Sequence, residues 1–230
     1  MAAERRPPVG PALPGWSARG QPTRDAMQGR WCRVEPLDPP THAAALFEAF
    51  RLDAEGLGWT YLPYGPFDTA VRLRTWLEGM AVADDPLFFT ILDEAGVPVG
   101  LASYLRITPA MGVIEVGHIH YSMALQGTRA ATEAMYLMMR RAFDELGYRR
   151  YEWKCDALNE PSRRAAERLG FVYEGTFRKH VIYKGRSRDT AWYSVVDDDW
   201  PALRRAFEAW LDPANFDARG VQLRTLRGLR

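Results

Sequence analysis

Residues 125–171 read LQGTRAATEAMYLMMRRAFDELGYRRYEWKCDALNEPSRRAAERLGF, and this stretch decides the fold. It divides into a turn that opens a helix, a strand, and a second capped helix. In the first helix Ala131, Met135, Met138, Ala142, Phe143 and Leu146 recur at helical spacing to make one apolar stripe, and Gly147 ends it. YEWKCDAL reads as a buried strand. Asn159 caps the helix that follows, and Gly170 lies just past its end. Each helix start leaves backbone N–H groups without an intrahelical partner at the positive end of a dipole. Two such starts converging on one cleft favour a ligand rich in phosphate.

The 230 residues carry 30 Lys and Arg against 29 Asp and Glu, and 47% are hydrophobic. That length and apolar content suit one sizeable domain with loose ends. A formal charge of +1 gives no global field toward nucleic acid or an anionic membrane, so electrostatic recognition is local. Cys32 and Cys155 each fall in a strand without CxxC or Cys/His spacing. This argues for reduced thiols in a cytoplasmic protein, and against a disulfide framework or a metal site. No apolar run approaches the roughly 20 residues a membrane span requires, and MAAERRPPVG lacks the hydrophobic region of a secretion signal.

Residues 1–28 hold Pro7, Pro8, Pro11, Pro14 and Pro22 without helical or strand period, and read as a flexible or extended arm with Trp16 as its one bulky anchor. The domain proper spans residues 29–211. GRWCRVEPL alternates as a strand, Thr41 reads as the N-cap of a helix carrying Ala45, Leu46, Ala49 and Phe50 that Gly56 and Gly58 end before Leu57, and Asp68 or Thr69 caps a second through Ala81. Between these helices LGWTYLPYGPF, residues 57–67, is aromatic and broken by prolines. It reads either as a loop packed onto the core or as the wall of an acceptor site built from Trp59, Tyr61 and Tyr64. LFFTILDEAGVPVGLASYLRI is a hairpin turning at DEAG, and GVIEVGHIHYSMAL adds a third strand. Beyond Phe171, a long hairpin turning at Lys184 to Ser187 leads to a last helix ending at Leu211, and residues 212–230 read as a weakly ordered tail. Successive antiparallel strands, then strands alternating with helices, indicate a mixed sheet of α/β (α+β) class.

QGTRAAT is neither a Walker A loop, which needs Gly-Lys-Ser/Thr, nor the glycine fingerprint of dinucleotide folds. It offers Thr128 as an N-cap, followed by Ala130 and Ala131, whose small side chains let a pyrophosphate reach the amides. With the strand ending in HYSMAL, the strand YEWKCDAL, then Asn159, Ser162 and Leu169-Gly170-Phe171, it resembles the acetyl-CoA-dependent N-acetyltransferases of the GNAT superfamily. In the family's Gln/Arg-x-x-Gly-x-Gly/Ala loop, Gln126 and Ala131 match and Arg129 occupies the glycine position. The exchange gives up glycine's close backbone approach and brings a guanidinium to the phosphates. Within the superfamily, Asn159 with Ser162 three residues on, the Gly-Phe pair and Glu174-Gly175 are most similar to the branch that acetylates ribosomal-protein N-termini at alanine or serine. The resemblance implies a GNAT-like fold: a central, mostly antiparallel twisted sheet, splayed at a parallel strand pair and flanked by helices. It also implies acetyl-CoA as cosubstrate, held by Met123, Gln126, Gly127, Thr128, Arg129, Ala130, Ala131, Asn159 and Ser162.

Acetyl transfer to an amine needs a polarised carbonyl, a neutral amine and a protonated leaving sulfur. The resemblance places the polarising amide near Tyr121 to Met123, with Tyr121 on the acceptor side. Glu115, His118 and His120 are the titratable candidates for the amine's proton. The histidines share one strand face and Glu115 lies on the other unless a bulge intervenes; His120, nearer the cleft end, ranks first. Ser162 is the candidate relay to the sulfur. Many GNAT enzymes carry a Tyr seven residues after the Asn, where this chain has Ala166, so that role is not carried over. Cys155, in a buried strand without a base partner, disfavours a covalent enzyme intermediate and leaves direct attack in a ternary complex.

The implied acceptor is a primary amine on a peptide or a small molecule, and a homodimer is compatible with the sequence. Two other functions remain compatible. One is an acyl-CoA-binding module without turnover. The other is an RNA- or ribosome-binding adaptor that uses Arg178, Lys179, His180, Lys184, Arg186 and Arg188. Alternation spreads that cluster over both faces of its hairpin and no aromatic recognition motif accompanies it, so it reads as a solvated hairpin.

Overall fold

Residues 7–230 are described by the computed structural model, and residues 1–6 of the expected arm lie outside the described residues. Eight strands make one sheet: β1 (Met27–Gln28), β2 (Arg33–Pro36), β3 (Leu87–Leu92), β4 (Pro98–Thr108), β5 (Val113–Tyr121), β6 (Arg150–Asp156), β7 (Val172–Tyr183) and β8 (Arg186–Val196). Their order is β1-β2-β3-β4-β5-β6-β8-β7, and every neighbouring pair is antiparallel except β5 with β6. Alternation assigns the two faces. Phe89 and Ala102 enter a large core beneath α3 (Arg129–Arg140) and α5 (Trp200–Leu211), whereas Phe88 and Leu101 enter a smaller one beneath α1 (Pro39–Phe50) and α2 (Ala70–Ala81). Among the described residues no helix is long and apolar enough to cross a membrane.

Several local expectations change. Helix α1 begins at Pro39 rather than after Thr41, because two prolines preset the helical φ of its first positions; Thr41 instead donates its hydroxyl to Asp38 at 2.5 Å. Helix α3 is buried nearly all round from Ala130 to Met139, not along one stripe, because α5 covers the side away from the sheet and brings Phe207 within 5.4 Å of Tyr136. Even its Glu133 is buried, accepting the backbone N–H groups of Arg30, Trp31 and Cys32 at 2.9, 2.6 and 2.9 Å. That carboxylate fixes the turn before β2 and, with burial, pushes the Cys32 thiol well up.

Residues 16–26 and 212–230 are tied down. The Trp16 indole donates to Ala110 O at 2.9 Å, Tyr148 donates to Gly20 O at 3.0 Å, and Arg141 holds the carbonyls of Asp25 and Ala26. Residues 212–230, read as weakly ordered, are docked. Asn215 is buried and bonds Trp210 O and both backbone groups of Arg224, Leu226 is 1% exposed, and Arg230 donates to the carbonyls of Glu167 and Arg168. Glycine and charge content misled here because a few anchors, not an apolar period, hold the segment.

Strand pairing creates the opening at the centre. β5 and β6 are paired only over Val113–Val116 with Arg150–Trp153, while β5 stays on β4 as far as Tyr121 and β6 stays on β8 as far as Asp156. Past Val116 the two strands part.

Candidate active site

The turn into α3 lies at one mouth of this opening. Thr128 is the N-cap, its hydroxyl accepting Ala131 N–H at 3.1 Å and donating to Leu125 O at 2.7 Å. Gln126 donates to Tyr121 O at 2.9 Å, closing the turn from within. Gly127 supplies a φ of 74° with open space around it, so the chain approaches a ligand there without a side chain. The Arg129 and Ala130 amides of the first helical turn are without intrahelical acceptors by the geometry of any helix start. Arg129 is not extended into solvent: its guanidinium sits 3.8 Å from the Trp31 ring centroid and 4.9 Å from that of Phe216, and it borders a depression with Thr128 and Ala130. Met123 is exposed beside the turn, whereas Tyr121 points into the α3 side, its hydroxyl on Ala131 O at 3.3 Å.

The start of α4 (Glu160–Arg168) closes the other side. Asn159 caps it by accepting Ser162 N–H at 3.1 Å. Ser162 Oγ accepts the Trp153 indole N–H at 3.0 Å, and Cys155 shares the cavity wall with it, burial holding the thiol proton more tightly than usual. Ala166 is fully buried, in the core rather than the cleft.

Between these two starts and the smaller core lies a cavity of about 250 Å³ whose wall includes Tyr61, Glu115, His118, Asn159 and Ser162. A bulge makes this possible. Ala102 on β4 faces both His118 and Ile119, with His118 at a φ of 50°, so Glu115 and the two histidines fall on one face rather than two. His118 Nδ1 lies 2.9 Å from the Tyr64 hydroxyl. His120, expected at the cleft, is sealed beneath the aromatic loop: it stacks on Trp59 at 3.6 Å, meets Phe50 edge-on at 4.4 Å, and has no place on the cavity wall. Trp59 is 3% exposed and works as an anchor, and Tyr61 alone of the three loop aromatics faces the cavity. The loop forms a roof, with Tyr61 donating to Leu158 O at 3.1 Å and Lys184 to Trp59 O at 2.9 Å.

This arrangement of splayed parallel strands, capped helix start and phosphate-sized turn has counterparts among known proteins. The family model described as "Acetyltransferase (GNAT) domain" matches residues 33–172. The chain belongs to the GNAT acetyltransferase family. It is similar to the crystal structure of a GCN5-related N-acetyltransferase from Brucella melitensis, at 47% identity and a TM-score of 0.93 over 94% of this chain and 99% of that one. It is 32% identical over 101 residues to the Bacillus subtilis protein named "Putative ribosomal N-acetyltransferase YdaF", which covers 44% of this chain and 55% of that protein. The uncharacterized SPbeta prophage-derived N-acetyltransferase YokL of the same organism is 24% identical over 132 residues, 57% of this chain and 73% of that protein. The protein is thus an N-acetyltransferase with the mixed, splayed GNAT sheet.

In this GNAT enzyme the cavity also exposes Arg106, Lys154, Asp156 and Tyr183, which sequence reading passed over, and His180 and Arg188, which it read only as part of a basic cluster on the last hairpin. The last hairpin is therefore not simply solvated, since His180 and Arg188 face the cavity and Lys184 holds the roof. Glu115 is clamped: Arg106 Nη1 reaches both its oxygens at 2.8 and 2.7 Å, and Lys154 Nζ lies 2.8 Å away and a further 2.7 Å from Glu152. With its oxygens so engaged, Glu115 serves as a counter-charge.

Burial lowers the imidazole pKa of both His118 and His120 from 6.5 to about 4, with Arg106 adding to the effect at His118 and a Gly58 backbone bond and Asp53 opposing it at His120. Both rings are neutral near pH 7. Between the two values the unfolded chain binds more protons, so the stabilisation is fully present above about pH 6.5 and is lost as the pH falls toward 4. Urea denaturation is expected to show a loss on the order of 4 kcal/mol between about pH 7 and about pH 5, of which about half is removed in His118→Gln. An identical pH profile for wild type and variant would overturn the assignment.

Proposed function

We propose that this N-acetyltransferase binds acetyl-CoA across the α3 start and the β5–β6 opening and passes the acetyl group directly to a primary amine held in the roofed cavity. The observation that carries this reading is the parting of β5 from β6 beyond Val116, because the cavity is lined there by Gly117 and His118 of β5, Cys155 and Asp156 of β6 and Asn159 and Ser162 at the α4 start, and β5 runs on from it toward the α3 turn. The residues present suit a CoA. The Gly127, Arg129 and Ala130 amides with the Arg129 guanidinium offer donors for a pyrophosphate, and the edge of β5 left without β6 offers a backbone ladder for the pantetheine arm. Asn159 is placed for an amide of that arm. Bound there, acetyl-CoA supplies an acyl group already activated as a thioester.

The acceptor nitrogen forms the new bond to the acyl carbon as the carbon–sulfur bond breaks, the nitrogen giving up one proton and the sulfur taking one. Of the two β5 histidines His118, not His120, is on the cavity wall, and in the tautomer that donates Nδ1–H to Tyr64 its Nε2 lone pair is the acceptor for the amine's proton. Its lowered pKa keeps that lone pair available at neutral pH. Ser162, hydrogen-bonded to Trp153, orients the region the sulfur leaves into.

Cys155 stands beside Ser162, so a covalent route deserves a direct test. Cys155→Ser is expected to retain thiol release from acetyl-CoA within about twofold of wild type, because the buried, protonated thiol is no nucleophile. Acetyl label retained on the denatured enzyme after incubation with acetyl-CoA alone would overturn direct transfer. Calorimetric binding of acetyl-CoA with no thiol release on any amine would leave a binding module instead.

A further inference from the structure

Two charged side chains on the cavity wall lack a partner of opposite sign. Asp156 is 5% exposed and accepts Leu158 N–H at 2.9 Å and the Tyr183 hydroxyl at 2.8 Å, yet it forms no ion pair among the described residues. Arg188 donates Nε to the Thr190 hydroxyl at 3.1 Å, and its guanidinium likewise forms no ion pair among the described residues. The other charges on the wall are matched internally, Glu115 by Arg106 and Lys154.

The two unmatched groups are neighbours. Asp156 lies opposite Thr190 in the β6–β8 ladder, and Arg188 is the next residue on the Thr190 face of β8. Tyr183 fixes the carboxylate and Thr190 fixes the guanidinium, so neither is free to turn toward the other. A buried carboxylate and a half-buried guanidinium without opposite charges beside them cost free energy that a ligand bearing both opposite charges would recover. Bonds from Tyr61 and Lys184 cover the cavity on two sides, and the accessible space of about 250 Å³ beneath them suits a compact ligand.

We infer that the acceptor is a small zwitterion, an amino acid or a similarly compact amine carrying a carboxylate, with Asp156 orienting its amino group and Arg188 binding its anionic group. The inference rests on the acetyl-transfer reading above and names the substrate class of the same cavity. A peptide N-terminus fits less well, since its chain must leave through the roof and it brings no carboxylate close to the amine. Specificity then resides in Arg188, which a neutral amine leaves unpaired.

The test is thiol release from acetyl-CoA with free amino acids, each compared with its own α-amide, and with octapeptides beginning in Ala or Ser. Wild-type enzyme is expected to prefer acids over matched amides by about 30-fold in kcat/KM, the size of one charge-assisted contact. In Arg188→Leu that ratio is expected to collapse toward one through a rise in KM for the acids, and Arg188→Lys is expected to retain part of it. Equal or better use of amides or peptides by wild-type enzyme would overturn the inference and leave acetyl transfer standing. Absence of thiol release with every amine tried would instead remove the underlying reading. The wild-type ratio decides the matter even if an Arg188 variant does not fold.

Discussion

Lys154→Met is expected to lower the unfolding free energy by about 3–5 kcal/mol, the cost typical of breaking a buried ion pair from one side. Glu115 and Glu152 lie directly opposite each other on β5 and β6, where two like charges repel. Lys154 Nζ stands between them at 2.8 and 2.7 Å, with all three side chains at most 10% exposed. Methionine keeps the volume and removes the only cation the two acids share, so the loss is electrostatic rather than a cavity effect. Arg106 and Arg150 still hold one acid each, from the outer sides of the pair. Urea denaturation of Lys154→Met and of Lys154→Met with Glu115→Gln gives the decisive comparison. The double variant is expected to recover part of the loss, since one of the opposed charges is then gone. A loss under about 1 kcal/mol, or no recovery, would mean that the cluster is solvated enough to be unimportant. Because this cluster sits where β5 and β6 begin to part, the same variant is expected to lose activity along with stability.

Arg129→Glu is expected to raise the KM for acetyl-CoA by about 30- to 100-fold while leaving the fold intact. Two effects oppose each other in stability. Losing the stack on Trp31 costs roughly 0.5–1 kcal/mol, and an acidic residue in the first turn of α3 gains a similar amount from the helix dipole. They nearly cancel, so the melting temperature should hardly move. Ligand binding has no such compensation, because a cation beside the pyrophosphate is replaced by an anion, a change of about 2–3 kcal/mol at a partly exposed site. Isothermal titration with CoA at low and high salt tests the origin of the effect: the wild-type affinity should fall with salt more steeply than that of Arg129→Gln. An unchanged KM in Arg129→Glu would place the phosphates elsewhere.

The order of elements was legible because it depends on local signals. Thr69, Thr128 and Asn159 each accept a backbone N–H three residues on, as short polar side chains before apolar periods should. The site was less legible because its decisive features are relations between distant segments. Whether Glu115 and His118 share a face depends on a bulge set by pairing with Ala102, and nothing in GVIEVGHIHY alone requires it. Position nearer the cleft end favoured His120 over His118, yet the His120 ring is taken up by Trp59 and Phe50, residues that the sequence places in a loop and a helix. Arg188 looked like one of several charges on a solvated hairpin. Only the position of β8 beside β6 turns it toward the cavity.

The two bonds that close the roof both end on main-chain oxygens, those of Leu158 and Trp59. A main-chain oxygen is supplied by any residue, so mutational drift at Leu158, which is 79% exposed, leaves the closure intact. The hereditary information for it is carried on the donor side alone, by the phenol of Tyr61 and the ammonium of Lys184. Lineages that exchange those two side chains would inherit an open groove on an otherwise unaltered scaffold, and with it access for longer acceptors.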